Sequence, residues 1–165
     1  MIQLSKYRKV KNEKGVFITA IWYLINYSVF NSWLPLPSSF KVSLLKVFGA
    51  EIGNGVVIKP RVRVKRPWKL VVGNFVWIGE DVWIDNLDFV MIGNNVCVSQ
   101  GVLIINGNHN FNSISFDLFT KPIKIGDGSW ITAKSVLLPG TTIEPNTMLK
   151  SGTIASGKLP KKNNP

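Results

Sequence analysis

The sequence predicts a mainly β fold: a solenoid of short parallel strands wound in coils, with a short helical segment ahead of it. Three observations carry that prediction. Stepping by six from Ile125 gives Ile131, Leu137, Ile143 and Leu149, all aliphatic. Four residues after each stands a small hydroxyl residue: Ser129, Ser135, Thr141, Thr147 and Thr153. The same aliphatic step begins, less strictly, at Ile52.

An amphipathic helix would repeat its apolar face at three and four residues, and one long strand would alternate by two. A short strand followed by a bend, once every six residues, satisfies the pattern. Three such sides close a coil of 18 residues, and stacked coils bury one column of aliphatic side chains. Ile52, Ile58 and Val64 form a first coil, Val72, Ile78 and Ile84 a second, and Ile92, Val98 and Ile104 a third. Steps of eight from Val64 to Val72 and from Ile84 to Ile92 add two residues at a corner. The dipeptides Ile52-Gly53, Val72-Gly73, Ile78-Gly79, Ile92-Gly93 and Ile125-Gly126 mark side starts, where glycine is expected to relieve backbone torsion. From Ile104 to Ile125 the step is 21, so an inserted loop at about 106–121 leaves the coil, carrying the only histidine, His109.

The organisation expected is therefore a helical segment over 1–50, the solenoid over 51–160 and a tail over 161–165. Val16 to Phe30 is largely apolar but interrupted by Asn26 and Ser28, marginal for the roughly 20 apolar residues that span a bilayer. It is read as a helix packed on the solenoid or lying on a membrane. A second helix is expected to be capped by Ser38 or Ser39, with Phe40, Leu44, Val47 and Phe48 on one face. Both would cover the open edge of the first coil.

The 165 residues carry 20 Lys plus Arg against 9 Asp plus Glu, a net charge of +11. That balance points to anionic partners. Lys59, Arg61, Arg63 and Lys65 are expected to point outward as a basic stripe, either solvated or meeting lipid or glycan. No nucleic-acid-binding motif accompanies the charge, so nucleic acid is not expected as a partner. Cys97 is the only cysteine, which excludes an internal disulfide and suits a reducing compartment. One histidine and one cysteine are too few for a three-histidine zinc site, and no metal is expected.

The segment Pro122 to Ile143, "PIKIGDGSWITAKSVLLPGTTI", resembles the signature block of the hexapeptide-repeat acyltransferases. The stretch "LLKVFGAEIGNGVVIKPRVRVKRPWKLVVGNFVWIGEDV" resembles the subgroup that acetylates sugars of colanic acid, capsule and O-antigen. The resemblance covers roughly residues 38–160 and implies a left-handed parallel β-helix, acetyl-CoA as donor and a sugar or lipid-linked glycan as acceptor. It further implies a homotrimer with active sites at subunit clefts. The expected location is the cytoplasm, with peripheral contact on the inner face of the membrane through the helix and the basic stripe.

By the same resemblance His109 is the general base, and Asp85, Asn86 and Asn108 are candidate substrate-binding residues. Trp130, Ala133 and Ser151 match positions that meet the pantetheine arm; Lys150, Lys158, Lys161 and Lys162 are placed to attract CoA phosphates. Unlike the family, the chain shows no Gly-Asn-Pro-Ala-like tail after Leu159-Pro160, which would otherwise help hold the nucleotide end of CoA. Two alternatives stay open: an amine rather than a hydroxyl acceptor, and a structural β-helix protein that kept the fold but lost donor binding.

Overall fold

The computed structural model describes residues 2–7 and 13–159. Strands of two or three residues stack into three parallel sheets, one for each side of the coil. With strands numbered in chain order, the first face holds β1 (Glu51–Ile52), β4 (Leu70–Val72), β7 (Val90–Ile92), β12 (Ile123–Ile125), β15 (Thr142–Ile143) and β17 (Lys158–Leu159). The second holds β2 (Val57–Ile58), β5 (Trp77–Ile78), β8 (Cys97–Val98) and β13 (Trp130–Ile131). The third holds β3 (Arg63–Val64), β6 (Trp83–Asp85), β9 (Leu103–Ile105), β14 (Val136–Leu137) and β16 (Ile154–Ala155).

The expected aliphatic column is the core. Ile58, Ile78 and Val98 stack on the second face, and Val64, Ile84, Ile104 and Leu137 on the third, all buried. Each such side chain contributes about 1.5–3 kcal/mol by leaving water. The position four residues further on is also buried in both halves, as Val56, Val62, Val76, Val82, Val96 and Val102 and then as Ser129, Ser135, Thr141 and Thr147. Three of the later hydroxyls bond coil backbone: Ser129 Oγ donates to the Glu144 carbonyl at 3.1 Å, Ser135 Oγ to that of Lys150 at 3.5 Å and Thr141 Oγ1 to that of Ala155 at 2.9 Å, whereas Thr147 Oγ1 finds no partner among the described residues.

The corners explain how the coil turns. Three residues after inward aliphatics, Arg61, Phe75, Asp81, Asn95, Lys134 and Asn146 have φ between 54° and 60°. Non-glycine residues there cost roughly 1–2 kcal/mol each, offset by the ladder that the turn completes. The glycines of the Ile-Gly dipeptides do a different job from the one expected. Gly53, Gly73, Gly79, Gly93 and Gly126 are absent from the left-handed region; a Cβ on any of them would lie 2.8 Å or less from an atom of the next coil. Close approach of stacked backbones, not torsion, requires glycine there.

In the first two coils the corner between the third and first faces carries the two added residues. The excursion after Ile105 leaves from the same corner one coil later. The last coil is shorter, since Leu137 pairs with Ala155 but Ile143 with Leu159.

Ahead of the solenoid, α1 (Gly15–Ile25) runs into a π-helical turn over Asn26–Phe30, and α2 spans Ser38–Val47. Trp22 and Phe30 are buried, and together with α2 they satisfy the edge of the first coil. Trp22 Nε1 donates to the Val64 carbonyl at 2.8 Å, and Asn26 Oδ1 accepts from the Val64 N–H at 3.2 Å. Lys41 Nζ donates to the carbonyls of Lys59 at 3.1 Å and Ile58 at 3.4 Å. Burial lowers the Lys41 pKa from the ordinary lysine value.

Two local expectations fail on this account. Ser38 does not cap α2, whose N-cap is Pro37; its Oγ accepts from the Ile58 N–H at 3.0 Å instead. Of the expected apolar face, Leu44 and Phe48 are half-buried against the core but Phe40 and Val47 are exposed; Lys41 and Leu45 are the buried residues, because the edge carbonyls require a donor.

The basic stripe is also internally committed. Lys59 lies over Trp77 at 4.9 Å, Arg63 over Trp83 at 4.4 Å, and Arg61 pairs with Asp81 and stacks on Trp33. Lys65 Nζ stands 2.6 Å from Asp85 Oδ1, an ion pair without an aligned hydrogen bond. These partners lie on the next coil or the N-terminal segment, and the cations wrap around a corner rather than forming one flat patch.

Gly126 and Gly152 separate the two glycine roles. A Cβ on Gly126 would stand 2.5 Å from the Pro145 nitrogen, whereas Gly152, at φ 72°, has nothing within 4 Å. Gly126→Ala is expected to cost about 3 kcal/mol and Gly152→Ala about 1 kcal/mol, measured by urea unfolding. Equal costs would contradict the close-approach account.

Candidate active site

The excursion after β9 is a β-hairpin rather than an irregular loop. β10 (Gly107–His109) pairs antiparallel with β11 (Leu118–Thr120), setting His109 opposite Leu118. Its base is tied to the preceding coil. Asn106 is fully buried; its Oδ1 accepts from Asp88 N–H at 2.9 Å and its Nδ2 donates to the Asp88 carbonyl at 2.6 Å. Thr120 Oγ1 donates to Asp88 Oδ2 at 3.1 Å. Gly107 is needed where the hairpin crosses Leu87, since a Cβ would lie 2.6 Å from Leu87 Cδ1.

The imidazole of His109 is held from three sides. Its Nδ1 lies 2.7 Å from the Phe116 carbonyl oxygen, and its ring stacks on Phe116 with centroids 4.3 Å apart and planes 2° from parallel. Tyr7 meets it edge-on at 5.3 Å. A carbonyl can only accept, so Nδ1 carries the proton and Nε2 presents its lone pair. Phe116 is itself set at φ 52°. Next to it, Asp117 accepts from Ser113 Oγ at 2.6 Å, and hydrogen bonds from Ser113 and Ser115 hold its carboxyl below the usual range. An open cavity of about 630 Å³ lies beside this loop, lined by Ser5, Lys6, Tyr7, Ser115 and Asp117.

The expected acceptor residues divide. Asn108 is exposed, and its Oδ1 accepts from the His109 N–H at 2.8 Å, so it shapes the backbone at the base. Asp85 is committed to Lys65. Asn86, expected to face the acceptor, is instead fully buried: its Oδ1 accepts from Arg66 N–H at 2.9 Å and its Nδ2 donates to the Arg66 carbonyl at 2.7 Å. Asn86 and Asn106 thus replace missing backbone partners at successive levels of one corner.

The expected donor residues lie elsewhere. Trp130 is exposed on the second face, with its Nε1 donating to Ser99 Oγ at 2.8 Å. Below it in register stand Cys97 and Trp77, and a depression of about 260 Å³ is lined by Lys59, Trp77, Gly79, Glu80 and Gln100. Ala133 and Ser151 occupy the corner between the second and third faces on successive coils. The Ala133 carbonyl accepts from Gly152 N–H at 3.0 Å, and Lys150 is exposed beside Ser151. Lys158 is not part of this corner: it lies on the first face, 3.1 Å from Glu144 Oε1. Lys161 and Lys162 lie outside the described residues.

The structure therefore assembles Trp130, Ala133, Ser151 and Lys150 on one side of the coil and His109 at the opposite corner. Sequence reasoning missed Tyr7, Ser99, Phe116 and Asp117; Tyr7 and Ser99 meet their partners only through folding, with no local signal. Among the described residues no group of three or more His, Cys, Asp or Glu is placed to hold a metal. Nitrogen-15 NMR is expected to find the neutral His109 ring protonated at Nδ1. Protonation at Nε2 instead would remove the free lone pair on which its role as base depends.

No family model matches the chain. It is 33% identical over 141 residues to a protein of Escherichia coli K12 named as a colanic acid biosynthesis acetyltransferase, WcaF, covering 85% of this chain and 77% of that protein. It is 27% identical over 134 residues to the galactoside O-acetyltransferase of the same strain, covering 79% and 66%. Among solved structures, a hexapeptide-repeat acetyltransferase of Vibrio cholerae in complex with acetyl-CoA superposes with TM-score 0.78 at 16% identity, covering 87% of this chain and 79% of that one. A galactoside acetyltransferase in complex with coenzyme A gives 0.77 at 24% identity, covering 87% and 73%. A repeat-built parallel β-helix, a histidine on a hairpin that interrupts it and this degree of identity agree: the chain belongs to the hexapeptide-repeat acetyltransferases.

Proposed function

We propose that the chain transfers an acetyl group from acetyl-CoA to a sugar hydroxyl in surface polysaccharide or lipopolysaccharide synthesis, with His109 as general base. The observation that carries the reading is the His109–Phe116 contact, which leaves Nε2 as the proton acceptor. Nε2 takes the proton of the acceptor hydroxyl as its oxygen attacks the thioester carbonyl carbon. The carbon–sulfur bond then breaks, and the proton passes from His109 to the departing thiolate. A thioester supplies an activated acyl group, so no acyl-enzyme is needed.

The second wall fits the donor. Trp130 offers an exposed aromatic surface, the corner at Ala133 and Ser151 offers polar backbone, and Lys150 offers an exposed cation. Because this wall lies on the second face and the hairpin of His109 leaves from the corner between the third and first faces, the reading includes a homotrimer in which one subunit's base meets its neighbour's donor wall. Peripheral contact with the cytoplasmic face of a membrane belongs to the same reading. Phe17, Leu24 and Tyr27 of the N-terminal helix are 78%, 72% and 78% exposed, although no helix among the described residues is long and apolar enough to cross a bilayer.

His109→Ala is expected to lower turnover by about 10²–10⁴-fold while calorimetric affinity for acetyl-CoA stays near wild type. Near-wild-type turnover would remove the mechanism. Analytical ultracentrifugation is expected to show a trimer, and mixing inactive His109→Ala chains with Trp130→Ala chains is expected to restore activity. A stable active monomer, or mixtures that stay inactive after subunit exchange, would remove the shared site.

A further inference from the structure

A groove of about 370 Å³ runs between the N-terminal helix and the third face, on a different wall from Trp130 and the donor corner. Tyr23, Tyr27 and Asn31 line it from the helix side, and Arg63, Lys65 and Trp83 from the solenoid. Its charge is one-sided: two cations line it and, among the described residues, no carboxylate does. Asn26 Oδ1, which also borders it, accepts from the Val64 N–H, and Asp85 is paired with Lys65. The donors are not used up: among the described residues Arg63 makes no ion pair or side-chain hydrogen bond, and neither do the Tyr23 and Tyr27 hydroxyls or the Asn31 amide. The Arg63 guanidinium lies 4.4 Å over the Trp83 ring, which restricts its rotation and aims its fork. A groove that holds a stacked guanidinium with no carboxylate partner, beside hydroxyls and an amide that can turn a donor toward it, favours an anionic ligand made of acceptors.

We propose that this groove binds a phosphate group, with Arg63 as its principal ligand and the two tyrosine hydroxyls and Asn31 as further donors. The inference stands apart from the transferase reading, since none of these residues lies in the donor wall or the hairpin. The phosphate has two possible carriers, a soluble sugar phosphate or a lipid. Leu24 and Phe17 continue the exposed helix surface beyond Tyr27, where an apolar tail has room to lie.

Calorimetric titration with glucose 1-phosphate, against glucose as the neutral control, tests the site. Saturable binding of the phosphate and none of glucose is expected. Arg63→Gln should weaken it by about tenfold or more and Tyr27→Phe by a few-fold, consistent with loss of charge-assisted and neutral hydrogen bonds respectively. Both variants should still bind acetyl-CoA as the wild type does, which also shows that they are folded. Equal binding of glucose, no binding of the phosphate, or wild-type affinity in Arg63→Gln overturns the proposal. Loss of acetyl-CoA binding by every form, with phosphate binding intact, would count against the transferase reading and leave the groove standing.

Co-sedimentation with phosphatidylcholine vesicles, with and without phosphatidic acid, separates the carriers. Retention that needs phosphatidic acid and is lost in both Arg63→Gln and Leu24→Gln supports the site with a lipid carrier. Glucose 1-phosphate binding without vesicle retention supports it with a soluble one.

Discussion

The spacing between stacked coils is the constraint on which the rest depends. Gly53, Gly73, Gly93 and Gly126 each donate at 2.8 Å to a carbonyl one coil on, at Val72, Ile92, Ile125 and Ile143. Parallel strands this short are stable only as a continuous ladder, so every side must keep its length and level. Extra residues have to leave at a corner, and the described chain lets them leave at one, between the third and first faces. The hairpin that holds His109 grows from that corner, on a base already adapted by Asn86 and Asn106 to replace backbone partners.

The open end of such a ladder is the second problem. Trp22, Asn26, Ser38 and Lys41 each meet a backbone group of the first coil, so the N-terminal helices act as its missing neighbour. That use of the inner surface leaves Phe17, Leu24 and Tyr27 outward and creates the groove beside Arg63 and Trp83. One packing event thus protects an edge and builds a concave, donor-rich surface.

The chemistry uses rigidity in the same way. The His109 ring is clamped by Phe116 and edged by Tyr7, so its tautomer is set by geometry rather than by solvent. The hairpin and the Trp130 wall are far around the coil from each other, and a solenoid with a fixed cross-section cannot bend to join them. A second copy is the economical way to complete the site that we propose.

The residues alone determined the inward aliphatics, the coil count implied by their steps, the excursion and the histidine on it. A six-residue period is a local signal, readable because every side repeats the same packing demand. Tertiary structure alone decided what the polar residues do. Asn86 read as a ligand for an acceptor, yet Arg66, twenty positions earlier, takes both ends of its amide. Lys41 carried no local signal of burial, yet edge carbonyls draw it inside, and the basic stripe found its partners one coil on. The dipeptide glycines announced their positions but not their purpose, because the atom that a Cβ would strike belongs to another coil. Periodicity reports which way a side chain faces; its polar partners, a full coil away along the chain, exist only once the coils have stacked.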